Sequence, residues 1–253
     1  MSFLQDLRIL YHLALRPVRG KDHAARMENF YSGQAAAYDD FRKRLLHGRE
    51  ELFQQIDCPA GGVWVDLGGG TGANLEFISD KVPSLSQAYV VDLASSLLQV
   101  ASERFKKNGW DHVTAVEADA TQWQPPGGQV DVVTFSYSLT MIPDWFSAIE
   151  NAIRMLKPGG VVGVVDFYVA RKHAAEQMQQ HGWFTRSFWP VWFANDNVFP
   201  SADHLPFLKS QLEIVWCQES RSKVPYIPGI RTPFYQFIGR KAAGPDSRLE
   251  HQP

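Results

Sequence analysis

Cysteine is scarce in this chain: two residues in 253, Cys58 and Cys217. Neither has a Cys or His partner at metal-ligand spacing, which argues against a zinc module or a disulfide framework. The pair fits a reduced, cytosolic chain in which both thiols are small buried side chains. A surplus of charge of one sign is missing too. Lys and Arg number 25 against 27 Asp and Glu, a net charge of −2, and without a basic surplus a dedicated nucleic-acid binder is disfavoured. There is no run of about 18 apolar residues, so no membrane-spanning helix is expected. Asp6 and Arg8 interrupt the region where a secretory leader would be apolar. Internal repeats and low-complexity stretches are absent. What remains is a 45% hydrophobic fraction, ample for one domain with a small cap.

The chain is organised around residues 63–75, Val-Trp-Val-Asp-Leu-Gly-Gly-Gly-Thr-Gly-Ala-Asn-Leu. Val63 to Asp66 read as the end of a buried strand. Gly68, Gly70 and Gly72 follow, and Asn74, Leu75, Phe77 and Ile78 open a helical pattern. A strand that turns sharply into a helix through glycines brings backbone N–H groups close to a ligand. Asp66 stands at the strand's carboxyl end, where open α/β sheets bind ligands. On its own such a turn fits nucleotide binding or tight packing equally well. Its Asp-x-Gly-x-Gly-x-Gly spacing nevertheless differs from the G-x-G-x-x-G that cradles a pyrophosphate.

Downstream, residues 88–93 read as a second strand ending in Asp92, followed by Leu93. Asp92 lies roughly 20 residues past the last glycine, where such folds place a carboxylate on ribose hydroxyls. Ser95 to Asn108 is a helix, expected to be capped by Ser95 or Ser96 and stopped at Gly109. A third strand, Val113 to Glu117, leads into Asp119-Ala120; an isolated Asp there would serve a turn. A fourth strand runs from Val130 to Ser136-Tyr137-Ser138, a helix starts after Pro143-Asp144, and Leu156-Lys-Pro-Gly-Gly160 turns the chain into a fifth strand, Val161 to Phe167. In this order and spacing, residues from about 60 to 170 resemble the class I S-adenosylmethionine (SAM)-dependent methyltransferases. That resemblance implies an α/β, Rossmann-like sheet with helices on both faces and an antiparallel last strand pair, here 212–220 and 232–239. It implies SAM as cofactor and S-adenosylhomocysteine as its product. The binding residues it implies are Asp66, Gly68, Gly70, Gly72, Asn74 and Ser136 around the methionine part, Asp92 and Leu93 at the ribose and adenine, and Asp119 and Ala120 at the adenine edge. DNA amino-methyltransferases carry a Pro-Pro-aromatic sequence after the fourth strand; this chain lacks it.

The flanks carry the clues to the acceptor. Phe3 to Leu15 reads as an amphipathic helix, with Arg8, Arg16, Arg19 and Lys21 making the region basic; it fits an interfacial helix on anionic lipid or one packed on the domain. Residues 26–50 resemble the lids that fold over the cofactor in small-molecule methyltransferases, with Tyr31 and Tyr38 either facing the sulfonium and acceptor or forming core. Residues 181–193 hold Trp183, Phe184, Phe188, Trp189, Trp192 and Phe193 without a clear helix or strand period. Such a cluster suits an apolar cap for acyl chains or an ammonium, or a plain hydrophobic subcore. The expected division is 1–58 as helix and lid, 59–170 as core, 171–210 as aromatic cap, 211–241 as last strands and 242–253 as tail.

Leu10-Tyr11, Arg19-Gly-Lys21, the stretch from Phe30 to Glu50, 188–194 (Phe-Trp-Pro-Val-Trp-Phe-Ala), 196–198 (Asp-Asn-Val) and 226–231 (Tyr-Ile-Pro-Gly-Ile-Arg) are similar to the diacylglycerylhomoserine N-methyltransferases of betaine-lipid synthesis. This resemblance implies three methylations of a lipid homoserine amine, at the cytoplasmic face of a membrane, beside a transferase that forms diacylglycerylhomoserine. Nucleic acid and metal are not implied. An α-amino group has a pKa of about 8, so little base is required. Tyr31, Tyr38 and Tyr137 are the expected acceptor-side residues, with His204 a proton acceptor or a structural residue. Arg49 and Arg231 are candidates for the substrate carboxylate, and Trp189 and Trp192 for its apolar wall. Other expectations on the same fold are an N- or O-methyltransferase of phosphatidylethanolamine or a soluble amine, and a SAM-binding regulator without catalysis.

Overall fold

The computed structural model describes residue 28 and residues 45–174, 178–194, 197–224 and 229–243. The expectations placed on Tyr31, Tyr38, the first amphipathic helix and the tail from 244 lie outside the described residues. Strands β1 (Val63–Leu67), β2 (Gln87–Asp92), β3 (Val113–Glu117), β4 (Val130–Ser136) and β5 (Leu156–Phe167) pair in parallel. β6 (Glu213–Lys223) and β7 (Arg231–Arg240) complete the sheet in antiparallel fashion. The seven strands stand in the order β3-β2-β1-β4-β5-β7-β6. The order reverses direction between β1 and β4, and the carboxyl ends of those strands open a crevice there.

β1 and β4 are buried along nearly their whole length, as strands covered on both faces must be, which is why they read as near-continuous apolar runs. Helices α1 (Arg49–Gln55) and α2 (Ser95–Asn108) cover one face through Leu52, Phe53, Leu98, Ala101 and Phe105. Helices α3 (Trp145–Met155) and α5 (His204–Gln211) cover the other through Ala148, Ile149, Ala152, Leu205 and Leu208. The segment after the glycine turn, Ala73–Ile78, is a 3-10 helix.

Three local expectations are corrected. The residues 181–193 are largely helical: α4 spans Trp183–Ala194, with Pro190 inside it. Aromatics occur on its inner and outer sides alike, so the polar contrast that reveals an amphipathic period is absent. Neither Ser95 nor Ser96 caps α2, whose preceding Ala94 makes no side-chain cap. Instead Glu28 Oε2 accepts from the N–H of Ser96 (3.2 Å) and from Ser95 Oγ (3.4 Å), an acid placed at a helix amino end from far away in sequence. The Leu156-Lys-Pro-Gly-Gly160 stretch is not a plain turn before β5. Leu156 already pairs with Val130 and Val161 with Val132, so residues 157–160 bulge out of a strand that has begun.

Candidate active site

The glycine turn is shaped by what surrounds it. Gly68, Gly70 and Gly72 all have positive φ. A Cβ on Gly68 would meet the Cβ of Ser138 at 2.4 Å, and one on Gly72 would meet Phe105 of α2 at 2.6 Å. The turn is therefore wedged between α2 and the loop after β4, and only glycine fits there. Arg104 of α2 donates to the Thr71 carbonyl and pairs with Glu76 at 2.9 Å. Ser138 Oγ donates to the Leu67 carbonyl (2.9 Å), tying the β4 loop to the end of β1.

Beside the turn lies a cavity of about 360 Å³, within the range of small-molecule sites. Gly68, Gly70, Asp92, Leu93, Asp119, Ala120 and Tyr137 line it as the sequence predicts, joined by Val91, Leu97, Ser138, Met141, Ile142, Pro143 and Asp144. Among the described residues, the lining holds three carboxylates and no Lys, Arg or His. A phosphate-bearing dinucleotide finds no cation there; a ribose, a flat ring and a cationic sulfur find acceptors and apolar walls. Asp92 already faces the turn: its carboxylate accepts from the N–H of Gly70 and of Ala94, both at 2.9 Å. Asp119 Oδ1 accepts from Thr121 N and Oγ1, both at 2.8 Å, so it shapes its own turn while lining the cavity.

Other predicted residues sit beneath the turn. Asp66 is fully buried. Its carboxylate accepts from Asn74 Nδ2 (2.9 Å) and Thr134 Oγ1 (2.8 Å). Asn74 Oδ1 in turn accepts from Arg49 Nη1 (3.3 Å) and Ser136 Oγ (3.4 Å). Asp66, Asn74, Ser136 and Arg49 thus form one buried polar layer under the glycines, and none of the four lines the cavity. Arg49 also stacks over Phe77.

Tyr137 stands just past the carboxyl end of β4 with φ 55, a conformation costly for a bulky side chain and often kept at functional sites. Its hydroxyl donates to the His47 carbonyl at 2.7 Å. Burial pushes that hydroxyl well above its ordinary pKa, reinforced by Asp166, so it remains a neutral donor. Its ring packs on Phe167 (4.5 Å), which stacks on Phe193 of α4 (4.6 Å).

The structure does not bring His204, Trp189, Trp192 or Arg231 to the cavity. His204 is fully buried, edge-on to Trp145 at 4.7 Å, with no polar partner among the described residues for either ring nitrogen. Burial lowers its pKa to about 3. Asp203 does not assist it but pairs with Arg171 at 2.5 Å. Trp189 is core, stacked on Phe193, and Trp192 packs on Phe188. Arg231 is exposed at the start of β7.

Sequence reasoning missed the residues that hold the cavity walls. Asn151 of α3 is buried and donates to the carbonyls of Ala120 (2.9 Å) and Trp123 (2.8 Å), fixing the Asp119 turn. Asp166 at the end of β5 accepts from Thr140 N (3.1 Å) and Oγ1 (2.7 Å) and from Phe167 N (2.8 Å). The Thr140 carbonyl accepts from Phe199 N (2.7 Å), so Asp166 and the segment after α4 grip the cavity loop from two sides. Asn151, the one polar residue among those that α3 buries (Ala148, Ile149, Ala152 and Met155 are the others), is the one signal that pointed to them.

Residues 36–217 match the family described as "Methyltransferase domain". The ubiquinone/menaquinone biosynthesis C-methyltransferase of Vibrio parahaemolyticus is 29% identical over 162 residues, 62% of each chain; the chain thus spans somewhat under two thirds of that relative's length. The demethylmenaquinone methyltransferase of Anoxybacillus flavithermus is 25% identical over 194 residues, 77% of this chain and 76% of its own. Among solved structures, a Haemonchus contortus phosphoethanolamine N-methyltransferase bound to phosphomonomethylethanolamine and S-adenosylhomocysteine superposes with a TM-score of 0.65 at 16% identity, covering 88% of this chain and 61% of that one. A Haloferax volcanii putative methyltransferase, in complex with the Trm112 activator, gives 0.63 at 16% identity over 84% and 97%. With its glycine turn, its seven-stranded sheet and a cavity lined by no Lys, Arg or His among the described residues, this chain belongs to the methyltransferase domain family.

Proposed function

We propose that the chain is an N-methyltransferase that transfers three methyl groups in succession to the homoserine amine of diacylglycerylhomoserine, giving the betaine lipid. SAM, when bound, would supply an electrophilic methyl; Gly68 and Gly70 would leave it backbone room, and Asp92, Asp119 and the apolar walls would hold its adenosine. The observation that carries the reading is the character of the acceptor side. Tyr137 lines the cavity, backed by the buried rings of Phe167 and Phe193, and no Lys, Arg or His lines it among the described residues. A neutral amine needs alignment behind the methyl rather than a strong base. As the N–C bond forms and the S–C bond breaks, positive charge appears on nitrogen beside the Tyr137 ring, and the first two ammonium products would each lose a proton to water before the next transfer. The motif at 188–194, the aromatic helix itself, supports a lipid acceptor, and an amine acceptor is found in one of the superposable structures.

A second reading is favoured by sequence similarity to quinone-biosynthesis C-methyltransferases: the acceptor would be an isoprenoid quinol ring carbon. Mass spectrometry of lipids from cells expressing the chain, with and without a diacylglycerylhomoserine-forming partner, separates the two. Gains of one, two and three methyl groups on that lipid, lost with Asp92→Ala, support N-methylation. An unchanged lipid together with a methylated quinol would overturn it.

A further inference from the structure

Helix α4 has two apolar sides. Trp189 and Phe193 face inward and reach the cavity wall through Phe167 and Tyr137. The opposite side leaves Trp183 and Val191 each 74% exposed and Phe184 56% exposed. Large apolar side chains at such exposure, grouped on one helix face, mark an interaction surface.

We propose that the outer face of α4 is the enzyme's membrane-docking surface, inserting Trp183, Phe184 and Val191 into a bilayer interface. This rests on a lipid acceptor and names the partner of that same site. Charge favours an anionic lipid surface: no acidic residue occurs between 177 and 195, and Lys172 and His173 are exposed ten and more positions ahead of the helix, while Arg186 lies on its inner side with Nε buried. Arg171 beside them is already paired with Asp203. The exposed area of the three side chains is about 400 Å², against the roughly 800 Å² per partner of a standard protein interface. It is too small to hold a second copy of the chain but sufficient for shallow insertion. The inner side of α4 packs through Phe193 and Phe167 on Tyr137 of the cavity wall, so docking by the outer side would hold the cavity close to the bilayer.

The test is sedimentation of the full chain with phosphatidylcholine vesicles, with and without phosphatidylglycerol. Wild type is compared with Trp183→Ser/Phe184→Ser/Val191→Ser and with Val191→Glu, and SAM binding verifies that each variant is folded. Wild type is expected to sediment with the anionic vesicles, and the triple variant to lose about 10-fold or more in partitioning. Unchanged partitioning in both variants, or no sedimentation of wild type, overturns the proposal. So does a wild-type dimer in analytical ultracentrifugation that the variants abolish. Vesicle docking through α4 without methylation of any lipid would leave this surface standing and refute the lipid acceptor. Methylation with unaltered vesicle binding in the variants would do the reverse.

Discussion

Substituting Gly68 by alanine tests the account of the glycine turn most directly. Gly68 holds φ 68, and an L-residue there costs about 1–2 kcal/mol. The added methyl would lie 2.4 Å from the Cβ of Ser138 and 3.0 Å from its Oγ. That overlap is with the root of a side chain, so rotation cannot relieve it, and overpacking of this kind costs about 1–3 kcal/mol. The total, roughly 2–5 kcal/mol, is a large part of the ~5–15 kcal/mol that stabilises a typical domain. Urea unfolding is expected to show that loss, and calorimetric titration a collapse of SAM binding, because Ser138 lines the same cavity. The two components can be separated. Ser138→Gly removes the opposing Cβ, so in the double variant the steric part returns while the φ part persists, a coupling of about 1–3 kcal/mol. The single Ser138→Gly change loses its bond to the Leu67 carbonyl, about 1 kcal/mol. A coupling below ~0.5 kcal/mol, the limit of ordinary additivity, would refute the steric argument; normal SAM binding by Gly68→Ala would refute the placement of the cofactor.

Burial raises the Asp166 carboxyl to about 7, against the bonds from Thr140, which lower it. The folded protein therefore holds that proton more tightly than the unfolded chain, and the contribution is lost as pH rises from about 4 through 7; Asp166→Asn should flatten this part of the stability curve in pH-resolved urea titrations. His204 acts with the opposite sign. With a folded pKa of about 3 against 6.5, its stabilisation is present above pH 6.5 and is lost as pH falls toward 3. His204→Phe, retaining the edge contact with Trp145, should remove up to ~1.4 kcal/mol per pH unit of acid sensitivity over that range; an unaltered acid limb would contradict it. Burial and Asp131 push the Cys58 thiol up to about 11, so its alkylation by iodoacetamide at pH 8 is expected to be about 100-fold slower than that of a thiol at the ordinary 9.0. Tyr137→Phe, which forfeits only the bond to the His47 carbonyl, should cost about 1 kcal/mol of stability and leave SAM affinity intact. A large loss of that affinity would give the hydroxyl a role at the cofactor.

Much of the core was legible because its signals are local. β3 has the bounds its sequence suggested, and β1, β2 and β4 lie within a residue or so, since parallel strands covered on both faces are written as short apolar runs between turn residues. Gly68, Gly70, Asp92 and Asp119 were legible because backbone proximity and carboxylate position leave a pattern in spacing. What failed to show was whatever depends on contacts across the fold. Glu28 caps α2 from 68 positions away, and Asn151 and Asp166 fix loops on other elements. His204 looked chemical beside Asp203, yet the packing of α5 on α3 turned its ring into the core and Asp203 toward Arg171. The aromatic run hid a helix because side chains of one kind carry no period.

The position of β7 has a consequence for how the chain reaches its folded state. Among the described strands β6 pairs with β7 alone, and β7 separates it from β5. During synthesis, β5 therefore waits with an open edge while α4, α5 and β6 emerge, and β6 itself has no neighbour to join. Both gaps close in one step when residues 231–240 arrive, and Gln236 then also bonds to the Gly48 carbonyl at 2.8 Å, 188 positions back. A nascent chain stalled before β7 exposes two unpaired strands, one of them carrying the exposed Ile214 and Val215. Such edges recruit other chains, so the final strand decides between a closed domain and an aggregating one.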